Sequence, residues 1–130
     1  MRRVRSKDTA VELKLRKALW ANGIRGWRCH VRSITGNPDL AWAGRKLAIF
    51  VDSAWWHGHP SRWEAGRLSP WWDAKITRNR ERDREVNRAL TRAGWTVVRI
   101  WDFEIESDLQ ECVSRVADAL DATALARNSD

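Results

Sequence analysis

Hydrophobic positions change their spacing several times along the chain, and each change marks an element. From Thr9 the residues Val11, Leu15, Ala18 and Leu19 recur at helical spacing, and Thr9-Ala10-Val11-Glu12 has the form of a capping box. Gly23 stands where that helix would close. Trp27, Cys29 and Val31 then alternate with Arg28, His30 and Arg32, the period of a half-exposed strand. After the turn Gly36-Asn37-Pro38, residues 39–43 and 46–52 read as a hairpin about Gly44-Arg45. A two-residue loop there pairs Ala43 with Lys46 and Asp39 with Phe50, which places Asp39, Phe50 and Asp52 on one face of the sheet. Residues 53–68 show no period. Ser69-Pro70 is a helix start, and a long charged helix runs from it to Ala93, with Gly94 beyond. Trp95 to Trp101 reads as a buried strand. Ser107-Asp108 caps a last helix with Leu109, Cys112, Val113, Val116 and Leu120 on one face. The predicted order is αβββαβα, an α/β domain with a central sheet flanked by helices.

At 130 residues this is one domain, 1–130, with residues 1–7 as a basic arm and about 123–130 as a frayed tail. No run is long and apolar enough for a membrane span, and MRRVRSKDT lacks the apolar stretch of a signal peptide. The expectation is a soluble, cytoplasmic protein with no membrane partner. Two cysteines, Cys29 and Cys112, exclude a disulfide framework and are expected to be small core residues. Charge adds a partner class: 24 Lys and Arg against 17 Asp and Glu give +7, and basic side chains release condensed counterions from nucleic acid. Ten tryptophans accompany no tyrosine. A core absorbs a few; flat rings beyond that suit stacking on bases or wedging between base steps.

The hairpin carries the strongest candidate chemistry. Asp39 and Asp52 on neighbouring strands form a hard-oxygen site suited to Mg²⁺, although each alone reads equally as a turn or loop-capping aspartate. His57 follows in Trp55-Trp56-His57-Gly58-His59, placed to act as general base or acid; with His59 it is also a candidate zinc ligand. Glu12 either completes the capping box or turns toward the sheet. Trp55, Trp56, Trp71 and Trp72 form two adjacent pairs whose four indoles are hard to bury together. On the long helix, Lys75, Asn79, Arg82 and Asp83 share one sector with Ile76 and Val86, so Asn79 and Asp83 need polar partners.

Taken in order, Arg5 through Glu12, Gly36-Asn37-Pro38-Asp39, Ala48 through Asp52, Trp55 through His59, Trp72 through Lys75, Asn79, Glu81 through Arg84, and Gly94-Trp95 resemble the very short patch repair (Vsr) endonucleases over about residues 1–105. The resemblance implies a restriction-endonuclease-like fold and a Mg²⁺-dependent enzyme that nicks the thymine strand of a T·G mismatch in double-stranded DNA. It assigns metal binding to Asp39 and the backbone carbonyl of Val51, catalysis to His57, and support to Glu12; Asp52 stands where members carry a polar residue near the metal. It also implies an aromatic DNA wedge of Trp55, Trp56 and Trp72, beside Lys75, Asn79 and Arg82. The family holds this loop with a structural zinc, in a pattern Cys-Phe-Trp-His-Gly-Cys; here Ala54 and His59 replace the cysteines, and Ser61 and Phe103 occupy further ligand positions. Structural zinc is therefore expected to be absent, with apolar packing in its place. A monomer is expected, with recruitment of mismatch-repair proteins left open. Two other readings stay open: a nuclease of the same fold with another DNA target, in defence or mobile-element biology, and a DNA-binding relative that does not cleave.

Overall fold

The computed structural model of the chain describes residues 9–59, 64–67 and 69–128. The predicted basic arm, Ser61 and the last two residues of the predicted tail lie outside them. Helix α1 spans Ala10–Ala21, and the Thr9 hydroxyl accepts from the Glu12 N–H at 3.3 Å, the first half of the predicted capping box. Strand β1 is only Arg28–Cys29, because His30 takes a left-handed φ of 49° and breaks the extended path that the alternation predicted. Cys29 is exposed, with its sulfur 3.0 Å from Arg16 Nη1, which corrects its expected place in the core. Cys112 is a core residue as expected.

Strands β2 (Leu40–Trp42) and β3 (Leu47–Asp52) pair antiparallel with Leu40 opposite Ile49 and Trp42 opposite Leu47, the predicted register. Their connection differs. Ala43–Arg45 form a single 3-10 turn and Lys46 takes a φ of 52°, so the turn absorbs the expected Ala43–Lys46 pair. Helix α2 (Pro70–Arg92) starts where Ser69 Oγ accepts from the Trp72 N–H at 3.4 Å. It is the crossover to β4 (Thr96–Trp101), which pairs parallel with β3 from Leu47–Thr96 to Asp52–Trp101. The sheet is mixed, in the order β1-β2-β3-β4.

Two features lay beyond the predicted order. A short helix α3 (Asp102–Ser107) follows β4 directly, its start fixed by Glu104 Oε1 accepting from the Trp101 N–H at 2.9 Å. Helix α4 then runs Leu109–Asn128, through most of the segment expected to fray; Thr123 there is buried, its hydroxyl donating to the Leu120 carbonyl at 2.8 Å. No helix among the described residues is long and apolar enough to cross a membrane.

The helices enclose the sheet from both sides. Leu47, Ile49 and Ile100 pack with Leu15 and Leu19 of α1, Ile105 of α3, and Val113 and Val116 of α4. Ala48, Phe50 and Val97 face the other way, onto Val86 and Leu90 of α2. Strand alternation carries this second face on to charged residues: Asp52 follows Phe50 and Arg99 follows Val97. Gly36 (φ 82°) lies so close to that layer that a Cβ would stand 2.5 Å from Val86 Cγ1 and 3.2 Å from the Phe50 ring. The loop thus pressed onto α2 leads through buried Pro38 to Asp39 at the end of the sheet.

Candidate active site

A cleft of about 550 Å³ opens where β3 ends, and Glu12, His30, Asp39, Asp52, His57 and Asp83 all line it. The four residues expected to be catalytic therefore converge. They do so as two groups.

The first group is built on Asp39. Its Oδ2 accepts the Val51 N–H at 2.6 Å, extending the β2–β3 ladder by a side chain past the last strand pair. Burial raises the Asp39 pKa from its ordinary value to about 7, against the lowering effect of the Val51 bond; the nearby Glu12 and Asp52 charges raise it further. Glu12 is 6 % exposed, and its Oε2 lies 3.3 Å from His30 Nε2, while His30 Nδ1 lies 3.7 Å from Asp39 Oδ1. Ligand atoms of Glu12, His30 and Asp39 all lie within 4.8 Å of one another. Two carboxylates are hard-cation donors, and a desolvated carboxylate with a pKa of about 7 lacks a counter-charge that a divalent ion supplies. The donor set fits such an ion. His30 was not singled out in the sequence; its only mark there is to sit among arginines on the polar side of a short alternation.

The second group surrounds His57. His57 Nδ1 and Asp83 Oδ2 are 2.5 Å apart. A carboxylate can only accept, so in the neutral ring Nδ1 carries the proton and Nε2 presents its lone pair. Asp52 Oδ1 is 3.9 Å from Nε2. Burial lowers the His57 pKa, but the Asp83 hydrogen bond and the Asp52 and Asp83 charges together outweigh it, and the net shift is upward. Asp52, 4 % exposed, is bound through both oxygens by Arg99 Nη1, at 3.0 and 3.1 Å. Burial raises its pKa and Arg99 opposes that rise. Asp39 and Asp52 therefore share the cleft while Asp52 spends its carboxylate on Arg99. Asp83 is the partner-seeking polar residue that the α2 periodicity marked. Arg99 was missed because it interrupts an otherwise apolar strand.

Local hydrogen bonds shape the loop that delivers His57. The His57 N–H donates to the Ser53 carbonyl at 3.0 Å and the His59 N–H to the Ala54 carbonyl at 2.9 Å. Ala54 N–H donates to Asp102 Oδ1 at 3.1 Å, and Asn79 Nδ2 donates to the Trp56 carbonyl at 2.9 Å. Asn79 thus holds the loop from α2. His59 lies edge-on to Trp101 and Phe103, each ring centroid 4.8 Å away, with Ala54 buried nearby in the same loop. Among the described residues, neither group with metal-ligand spacing includes His59.

Beside the cleft, Trp72 gathers the other indoles: its ring lies 6.3 Å from Trp55, 5.3 Å from Trp56 and 4.8 Å from Trp71. None of the four is buried, and Trp71 is the most exposed at 60 %. Trp71, outside the set the resemblance assigns, belongs to the same aromatic surface. Arg82 is exposed at the cleft wall, and Lys75 lines an adjoining cavity with Glu12 and His57.

The model of the family described as DNA mismatch endonuclease Vsr matches residues 1–63. The type II nicking enzyme V.NmeDIP of Neisseria meningitidis is 39% identical over 121 residues, covering 89% of this chain and 80% of its own. V.XorIIP of Xanthomonas oryzae is 38% identical over 125 residues, 93% of this chain and 89% of its own. The DNA mismatch endonuclease Vsr of Escherichia coli is 32% identical over 105 residues, 78% of this chain and 66% of its own. With fold, cleft chemistry and relatives in agreement, the chain belongs to the Vsr family of DNA endonucleases.

Proposed function

We propose that this protein hydrolyses one phosphodiester of duplex DNA at a T·G mismatch, on the thymine strand, with Mg²⁺ bound at Asp39. The observation that carries the reading is the single cleft in which the Asp39–Glu12 pair faces the His57–Asp83 pair, beside an exposed aromatic surface. The Val51 carbonyl lies on the same strand edge as its N–H, which Asp39 caps, and so supports Val51 as a further oxygen donor. When bound, the cation supplies positive charge to the scissile phosphate. His57, with Nδ1 held by Asp83, accepts the proton of the attacking water through Nε2. Glu12, beside His30, helps to hold the metal ligand Asp39 in place. Arg82 and Lys75 meet backbone phosphates, and Trp55, Trp56, Trp71 and Trp72 enter the stack where the wobble pair has weakened it. The relatives' names, nicking enzymes and mismatch endonuclease, support single-strand cleavage. The His59–Trp101–Phe103 packing supports a loop held by aromatic contacts without zinc.

The test compares Mg²⁺-dependent nicking of a T·G duplex with that of its matched counterpart, on protein first analysed for metal. A nick confined to the thymine strand of the mismatch, with far less than one zinc per chain, is expected. Equal cleavage of both duplexes would move the target to another DNA feature, no cleavage of either would leave a binding protein, and stoichiometric zinc would overturn the loop assignment.

A further inference from the structure

Arg99 stands in the middle of β4, opposite Phe50, and projects toward the α2 layer of Ala48, Phe50, Val86 and Leu90. A guanidinium in such a place is expensive unless it is bound. Here it is bound on several sides. Nε donates to Asn87 Oδ1 at 2.8 Å, Nη1 donates to both oxygens of Asp52, and Nη1 lies 3.5 Å from Asp83 Oδ1. The guanidinium carbon sits 4.3 Å from the Phe50 ring centroid.

We propose that Arg99 is a positioning residue that joins Asp52 and Asp83 into one cradle for His57. By engaging Asp83 Oδ1 it leaves Oδ2 to the imidazole Nδ1. By holding Asp52 it keeps that carboxylate 3.9 Å from Nε2, outside hydrogen-bond reach, so the lone pair stays available. Arg99 also sets the charge around the ring. Burial favours the neutral ring, the Asp83 hydrogen bond and the two carboxylate charges favour the cation, and the guanidinium between the carboxylates opposes them. Other charged groups around His57 belong to different elements: His30 and Arg32 after β1, Asp39 ahead of β2, Glu12 of α1, Lys75 and Arg82 of α2, and Asp102 of α3. Arg99 spans the two carboxylates directly, hydrogen-bonded to Asp52 and ion-paired with Asp83 at 3.5 Å.

This inference rests on His57 as the general base, and its test is read independently of that role. The chain has only three histidines, so imidazole NMR of the metal-free protein follows each of them, His57 being identified by loss of its signal in His57→Gln. In Arg99→Met the His57 titration moves to higher pH. The acid limb of the nicking profile moves with it, giving about tenfold slower nicking near pH 6 and less than about a twofold change near pH 9. Arg99→Lys, which keeps the charge, restores most of the profile. Where Arg99→Met leaves Asp52 too costly to bury and the protein does not fold, Asp52→Asn is compared with Asp52→Asn/Arg99→Met, and the second again titrates higher. An unchanged His57 titration in folded protein, or a loss of rate equal at every pH, would overturn the proposal. Undiminished nicking by His57→Gln would instead overturn the general-base reading and leave the titration to decide the role of Arg99.

Discussion

Asp39 is a residue whose burial comes at the expense of the fold. With its pKa raised to about 7, the folded, metal-free chain keeps a proton there over a pH range in which the unfolded chain has released it. Below about pH 4 both states are protonated and Asp39 contributes no difference; stability is lost as pH rises from there through about 7. Asp39→Asn removes the penalty and can still accept the Val51 N–H. It should abolish nicking yet melt higher than the parent above pH 7 without metal, by about 1–2 kcal/mol, the gain vanishing near pH 4. Paired melting curves across that range check it, and a variant that melts lower at high pH would contradict the burial argument. Asp39, Asp52 and His57 stand out in the sequence as carboxylates and a histidine at or just beyond the ends of apolar runs, whereas Glu12 read equally as a helix-capping residue. His30 and Arg99 were not legible there, because one departs from its strand through a left-handed backbone and the other meets four partners, from α2 and β3, that only the folded chain brings together.

Elements bring these residues together, and α2 contributes most. Its first turn carries Trp71 and Trp72, its middle Asn79 and Asp83, and its end the Val86 and Leu90 contacts that seat it on the sheet. Exposed indoles and core indoles respond differently to truncation: a core aromatic costs roughly 3–5 kcal/mol on removal, and a surface ring far less. Trp71→Ala should leave the melting temperature nearly unchanged and reduce discrimination between mismatched and matched duplex. Trp72→Ala, which also frees Trp55 and Trp56, should reduce it further at a modest loss of stability. Selectivity preserved in both folded variants would show that the rings do not enter the stack. Helix caps at Thr9 and Ser69 and the hairpin register were legible because local chemistry determines them. The brevity of β1, helix α3 and the continuation of α4 were not, because they follow from tertiary placement: a backbone reversal at His30, the Trp101–Glu104 contact, and burial of Thr123.

For the whole molecule, a formal charge of +7 coexists with a carboxylate-lined cleft. Long-range attraction to DNA and short-range affinity for a cation are therefore separable. Binding to a mismatched duplex without metal should weaken with salt at a slope of about −0.9 per phosphate neutralised, for several phosphates. A flat dependence would contradict backbone contact as the main mode. The crossover topology adds a temporal constraint. Asp52 and His57 precede or open the connection that α2 forms, Asp83 lies within it, and Arg99 follows it. These groups meet only when β4 docks parallel to β3, a non-local event that waits on closure of a long loop. Until β4 docks, Arg99 is apart from Asp52 and Asp83, and the cleft is incomplete. The order of assembly itself thus delays completion of the cleft until the sheet is complete.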